Sequence, residues 1–288
     1  MTTPPLDFAA WSDAFEEAAE RVEGVARPWS TNRLLLRTVG STNALARRIA
    51  DEYAEEGIDL RPALLVAFEQ TAGRGRQGRT WSSPPGAGAY VTLLWPLPGP
   101  EVLPNLPLVV PVALAAALDR HLPAARPAGI KWPNDLLVGG RKIGGVLIDG
   151  LAAGEGGGTG VALIGFGVNR AQGADELAGL GGSVAATSLA VEAPPAPPAA
   201  RLVWDLVTAV AEGLADAGDR RRAVAAYARR SVHRPGDPVR CRTAEETLEG
   251  RFRGFDERGF LRLELTRAAT GRRSGEEVLM RAGEVVPG

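Results

Sequence analysis

Residues 129–170 read GIKWPNDLLVGGRKIGGVLIDGLAAGEGGGTGVALIGFGVNR, three apolar runs of strand length separated by glycine-rich breaks. Apolar runs this short, bounded by turn residues, fit strands of a well-covered sheet, and breaks of hairpin length make consecutive strands antiparallel neighbours. The stretch predicts the strands IKWPNDLLV, RKIGGVLIDG and VALIGFGVN. A proline inside the first run marks it as an edge or bulged strand. AAGEGGGTG, between the last two, has the composition of an exposed hairpin tip, and no chemistry is expected of it.

The remaining segments alternate between the two kinds of element. LDFAAWSDAFEEAAERVE (6–23) predicts a short amphipathic helix with its acids on one side. RLLLRTV (33–39), ALLVAFEQ (63–70) and AYVTLLWPL (89–97) predict strands. Between the first two lies a helix that Ser41 or Thr42 can cap and that ends at Gly57. Residues 108–121 are alanine-rich and of helical length, VEAPPAPPAA (191–200) is a surface connection, and residues 201–231 supply about two helices. From His233 the texture changes to alternating apolar and polar residues with turns at Asp256–Gly259 and around Gly271, a small twisted antiparallel barrel. The expected class is α+β: a helical extension (1–30), a mixed α+β domain (31–230) and a small β domain (231–288).

With 33 basic against 34 acidic residues, there is no overall field to hold a nucleic acid or an anionic membrane, so any positive site must be local. One cysteine, Cys241, cannot form an internal disulfide, and His121 and His233 do not complete a conventional zinc-ligand set. The acidic N-terminus has no basic start or apolar core of a secretory signal, and the run Leu106–Leu118 is too short for a bilayer and carries Pro107 and Pro111. A soluble, cytoplasmic protein is expected.

TAGRGRQGRTW (71–81) concentrates charge locally. Its glycines let backbone N–H groups turn toward a ligand, while Arg74, Arg76 and Arg79 offer bidentate donors to phosphate or carboxylate oxygens. It lacks the lysine of a P-loop. It matches the spelling GxGxxG but leads into a proline turn and a strand rather than opening a helix, which argues against a dinucleotide fingerprint. Taken alone, it could equally be a solvated basic loop. KWPND (131–135) could be a bulged edge strand with a surface lysine and acid, Lys142 of RKIGG a surface lysine lying along apolar neighbours, and STN (41–43) only a helix cap.

Their order changes the reading. STN, EQTAGRGRQGRTW, KWPND, RKIGG and GFGVN in succession resemble the biotin protein ligases, from about Arg33 to the C-terminus. The resemblance implies a mixed-sheet catalytic domain related to class II aminoacyl-tRNA synthetase-like ligases, followed by an SH3-like β module. It implies formation of biotinyl-5′-AMP from biotin and ATP with Mg²⁺, then transfer of biotin to one lysine of a biotin carboxyl carrier domain of an acyl-CoA carboxylase. By position, Ser41, Thr42, Asn43 and Gln70 would bind the ureido ring. Arg74, Gly75 and Arg76 would lie over the biotin carboxylate and α-phosphate, ordering as ligand arrives, and Lys142 would bridge those two groups. Arg79, Trp81, Lys131, Asn134 and Asn169 would attend ATP, with Asp135 orienting the acceptor lysine, so that Lys142, Arg74 and Asp135 form the catalytic set. No metal ligand is assigned. Bifunctional relatives carry an N-terminal DNA-binding domain, for which the residues before Arg33 are too few, and no nucleic-acid or membrane partner is expected. Two other readings are a lipoate or octanoate ligase of the same fold, which would not need the polar set at 41–43 and 70, and a biotin sensor, which would not need Lys142 and the arginines.

Overall fold

The computed structural model describes residues 7–151, 160–267 and 271–286, so Leu6 of the first predicted helix and residues 152–159 of the predicted hairpin tip lie outside it. The helix α1 (Phe8–Glu20) begins where the Asp7 carboxylate accepts the Ala9 N–H at 2.9 Å, and the short α2 (Arg27–Thr31) follows. β1 (Arg33–Val39) then runs through Gly40 into α3 (Thr42–Glu55), which is capped by the Ser41 hydroxyl and gives way at Gly57, where φ is +66°. Glycine takes that left-handed turn without a Cβ penalty. Because α3 carries the chain back, β2 (Ala63–Gln70) pairs parallel with β1; β3 (Gly88–Pro96) then pairs antiparallel with β2.

After α4 (Leu106–Asp119) the chain forms β4 (Gly129–Lys131), β5 (Asp135–Val138), β6 (Arg141–Leu151) and β7 (Val161–Asn169), completing a mixed sheet of order β1-β2-β3-β7-β6-β5-β4. The run IKWPNDLLV, expected as one bulged strand, is two. Lys131 stands opposite Asp135 in an antiparallel pair, and Trp132–Asn134 forms the turn between them. A proline with no N–H to give a ladder is accommodated in that turn. β5 and β6 are joined by Gly139 and Gly140 at φ +56° and +77°, the pair of left-handed residues that a tight hairpin demands.

α5 (Ala174–Ala178), α6 (Leu189–Glu192), α7 (Ala199–Ala215) and α8 (Arg220–Arg230) follow. Val191 and Glu192 belong to α6 and the chain turns helical again at Ala199, so the proline-rich connection is shorter than expected. The period-two alternation of β2 sorts the core into layers. Leu64 and Val66 join a large core with α1, α4 and α7, while Leu65 packs with Ala46, Ala50, Leu94 and Leu163 under α3. The N-terminal helix packs on the larger body through buried Phe15 and through Phe8 and Trp11, whose rings meet Phe68 edge-on at 5.7 and 5.5 Å.

The C-terminal part is a five-stranded antiparallel sheet: β8 (Pro238–Arg242), β9 (Thr247–Phe255), β10 (Leu261–Leu265), β11 (Glu277–Met280) and β12 (Glu284–Val286), ordered β11-β10-β9-β8-β12. Leu261, Leu263 and Leu265 point inward while the intervening Arg262 and Glu264 are partly exposed. Tyr227 of α8 meets Phe255 edge-on at 5.3 Å, and the Val232 N–H donates to the Ile130 carbonyl at 2.9 Å, so the second sheet is fastened beside β4. Among the described residues no helix is long and apolar enough to cross a membrane.

Candidate active site

The N-terminus of α3, the end of β2, residues 74–82, β6, β7 and the segment 179–184 enclose a cavity of about 570 Å³. Its two ends differ in chemistry.

One end is uncharged. Capping by Ser41 places Thr42 and Asn43 in the first turn of α3, and Gln70, the last residue of β2, faces them across the parallel pair. The Gln70 side-chain oxygen accepts the Thr42 N–H at 2.8 Å, and its amide nitrogen donates to the Ser83 hydroxyl at 2.9 Å. These contacts define which way the amide points. The fully buried Thr92 of β3 brings its hydroxyl within 2.6 Å of Asn43 Oδ1 and 2.9 Å of Thr42 Oγ1. Asn43 Nδ2 reaches the Leu147 carbonyl at 3.5 Å. Asn43 also needs a glycine opposite, because a Cβ on Gly165 would stand inside its amide. The result is a row of donors and acceptors held at set angles, suited to a neutral, planar ligand group.

The other end is cationic. The arginine loop is closed on itself: the Gly75 N–H donates to the Arg79 carbonyl at 2.7 Å and the Trp81 N–H to the Gly73 carbonyl at 2.9 Å, around a 3₁₀ turn at Arg76–Gly78. Its glycines answer a steric demand. A Cβ on Gly73 would collide with the Trp81 carbonyl, one on Gly75 would stand 3.3 Å from the Arg79 carbonyl, and Gly78 has φ +72°. Close backbone approach therefore calls for glycine at 73 and 75, and the left-handed turn for glycine at 78.

Arg76 Nη1 lies 3.5 Å from Asn134 Oδ1, and Asn134 donates to the Val146 carbonyl at 2.6 Å. Burial lowers the Arg76 pKa and the neighbouring Arg79 lowers it further, against the opposing pull of Asp135. Lys142 Nζ lies 2.5 Å from Asp135 Oδ1, and Lys131 Nζ lies 3.1 Å from Oδ2 of the same carboxylate. The Lys142 ammonium also stands 5.4 Å from the centre of the Trp81 ring, within cation–π range. Trp81 lies flat enough against β7 that only glycine fits at 167, and its buried indole N–H has no partner among the described residues. Around the KWPND turn, Tyr227 donates to the Pro133 carbonyl at 3.0 Å, and the Trp132 N–H donates to His233 Nε2 at 3.3 Å. Burial, with the Lys131 charge, pushes the His233 pKa down to about 4, which keeps it a neutral acceptor at pH 7.

Ser41, Thr42, Asn43, Gln70, Arg74, Gly75, Arg76, Arg79, Trp81, Asn134, Asp135, Lys142 and Asn169 all line this one cavity. Lys131 stands behind its wall, almost fully buried against Asp135. Asn169 is occupied structurally: it donates to the Thr187 carbonyl at 2.9 Å and accepts from Gln172 at 3.4 Å. Sequence reading missed Thr92, Ser83, Ser183 and Glu284. Thr92 looks like an ordinary β-branched strand residue. Ser183 sits in a glycine-rich stretch with no motif, and Glu284 lies in the far β sheet.

The model of the biotin/lipoate A/B protein ligase family matches residues 40–169, the segment that carries most of both ends of the cavity. A biotin–[acetyl-CoA-carboxylase] ligase of Paracoccus denitrificans is 34% identical over 230 residues, which span 79% of this chain and 92% of that relative. Among solved structures, a biotin protein ligase from Aquifex aeolicus in complex with biotin and ATP matches with a TM-score of 0.63 at 24% identity, over 87% of this chain and 99% of that one. A biotin protein ligase from Leishmania major in complex with biotinyl-5-AMP matches with a TM-score of 0.53 at 25% identity, again over 87% and 99%. The chain belongs to the biotin protein ligase family.

Proposed function

We propose that the protein activates biotin with ATP to biotinyl-5′-AMP and transfers the biotinyl group to a lysine of a carrier domain of a biotin-dependent carboxylase. The observation that carries this reading is the contrast within one cavity, a neutral hydrogen-bonding row at one end and clustered cations at the other. A cyclic urea satisfies the first through Thr42, Asn43 and Gln70, with Ser41 at the same rim. A carboxylate and a triphosphate meet at the second. In the first half-reaction a carboxylate oxygen attacks the α-phosphorus, the bond to the bridging oxygen of the β-phosphate breaks, and pyrophosphate leaves. Two anions must be brought together for that. Lys142 between them, with Arg74 and Arg76 over them and the Gly75 backbone close by, offsets their repulsion and the charge that gathers in the transition state. Arg79 then faces the leaving pyrophosphate, Trp81 walls the nucleotide, and Asn134 and Asn169 flank it.

In the second half-reaction the carrier lysine, as a free amine, attacks the anhydride carbonyl and AMP leaves. Asp135 is the carboxylate in place to orient that amine, and exchanging its Lys142 contact for the incoming nitrogen is the change required. Lys131 stays behind Asp135 and holds its second oxygen. Among the described residues no cluster of three or more His, Cys, Asp or Glu could hold a metal, and Asp135 and Glu284 are already paired with cations. In this reading magnesium arrives on the phosphates of the incoming nucleotide, which supply most of its oxygen ligands.

In this reading residues 31–230 form the catalytic body, 231–288 the β module and 1–30 a packed extension. The single, buried Cys241 suits a reducing cytoplasm, and the near-zero net charge gives no field for DNA or a membrane. Incubation with magnesium–ATP, biotin and an isolated carrier domain should add one biotinyl mass to one carrier lysine. Addition of lipoate but not biotin in the same assay would overturn the reading in favour of a lipoate ligase.

A further inference from the structure

Glu284, the first residue of β12, has a side chain that is only 4% exposed. A carboxylate taken that far from water must be met by donors and cations. Its Oε1 accepts from the Ser183 hydroxyl at 2.7 Å and from Arg79 Nη1 at 2.9 Å, with Lys131 Nζ 3.5 Å away; its Oε2 accepts from Arg242 Nη2 at 3.1 Å. Burial pushes its pKa up, but the hydrogen bonds from Ser183 and Arg79 and the charge of Lys131 outweigh that and hold it at about 2. Glu284 is therefore ionised at neutral pH.

Of the four partners, only Arg242 belongs to the same sheet. Lys131 continues inward to Asp135, whose other oxygen holds Lys142. A chain of alternating charges thus runs from the C-terminal sheet to the Lys142 ammonium at the cationic end of the cavity. Fastening two sheets together would need no contact with Arg79. That arginine is 44% exposed and makes one other side-chain hydrogen bond among the described residues, a long one of 3.4 Å from Nε to the Arg76 carbonyl, so Glu284 determines where its guanidinium points. Glu284 itself lines the cavity.

We propose that Glu284 is a positioning residue of the nucleotide half of the site, supplied by the β module, which aims Arg79 at the phosphates and anchors Lys131 beneath Asp135. The proposal rests on the functional reading above only in naming ATP as the ligand. Glu284→Gln keeps the size of the side chain and can still accept from Ser183, but removes the charge. We expect KM for ATP to rise about tenfold in E284Q, with KM for biotin changed by less than about twofold and the thermal midpoint held within a few degrees. In an Arg79→Ala background the same substitution should cost less than about threefold, because the shared partner is already gone. Independent effects in that cycle, or an equal rise in both KM values with a large fall in the thermal midpoint, would reduce Glu284 to sheet packing and overturn the proposal.

Calorimetric titration with magnesium–ATP separates this from the functional reading, since it needs no turnover. Weaker binding by E284Q beside a wild-type protein that fails to biotinylate sustains the positioning role and removes the reading. Equal ATP binding beside a wild-type protein that biotinylates normally does the reverse.

Discussion

At the end of the cavity lined by Thr42, Asn43 and Gln70, the partners are uncharged, and all but the Leu147 carbonyl come from residues 41–92. At the end lined by Arg76, Arg79 and Lys142, the partners are charged and are drawn from both sheets, as far along the chain as Glu284. The first end forms mostly where β1, α3, β2 and β3 come together, with the Leu147 carbonyl of β6 and Gly165 of β7 completing the seat of Asn43. The second gathers four cations (Arg76, Arg79, Lys131 and Lys142) around two carboxylates (Asp135 and Glu284), an excess of positive charge. In the proposed reading, recognition of the neutral group is thus a local property of the chain, whereas catalysis depends on how its two parts meet.

Substitutions at the two ends should separate along that line. The largest effect is expected of Lys142→Ala. On the proposed mechanism it removes the ammonium between the two reacting anions and should lower the rate of adenylate formation about 10³-fold, measured as pyrophosphate release. The fold should survive, because the Lys142 N–H and carbonyl, bonded to Ala185 and Thr187 at 2.8 Å each, remain in place. Near-normal turnover would remove Lys142 from the mechanism. Thr92→Val is nearly isosteric and leaves Asn43 Oδ1 without the hydroxyl it accepts from. It should raise KM for biotin about tenfold, leave KM for ATP within about twofold, and cost about 1–2 kcal/mol of stability in a urea titration. Equal effects on both substrates would mean that the two ends are not independent.

The same contrast decides what could be read from the sequence. Residues 41–43, 70, 74–81 and 142 are ambiguous one at a time, and what makes them legible is the order of STN, EQTAGRGRQGRTW, KWPND, RKIGG and GFGVN along the chain. Thr92 lies in the middle of AYVTLLWPL, where a threonine is as expected as a valine, and only the approach of α3 across the sheet gives its hydroxyl a task. Glu284 is one acid among many in the β module; what distinguishes it is burial against Arg79, a contact between residues more than two hundred positions apart. The strand expected over IKWPNDLLV failed for a related reason. A proline inside an apolar run fits a bulge, but Pro-Asn-Asp is also turn chemistry, and the Lys131–Asp135 pairing that closes the hairpin is a tertiary outcome.

The smallest expected effect tests whether charge is the working principle of the cationic end. The side chains of Arg79 and Lys142 are 44% and 26% exposed, open enough for salt to screen them. Raising ionic strength from about 0.05 to about 0.5 M shortens the screening length from roughly 14 to roughly 4 Å, shorter than the distance from an arginine to the second phosphate beyond it. KM for ATP should rise about three- to fivefold over that range, while the dissociation constant of biotinamide, which keeps the ureido ring but carries no carboxylate, should stay within about 1.5-fold. If KM for ATP does not respond to salt, the phosphates are held by the backbone N–H groups of the glycine loop rather than by its arginines. The two ends would then differ in sequence origin but not in kind.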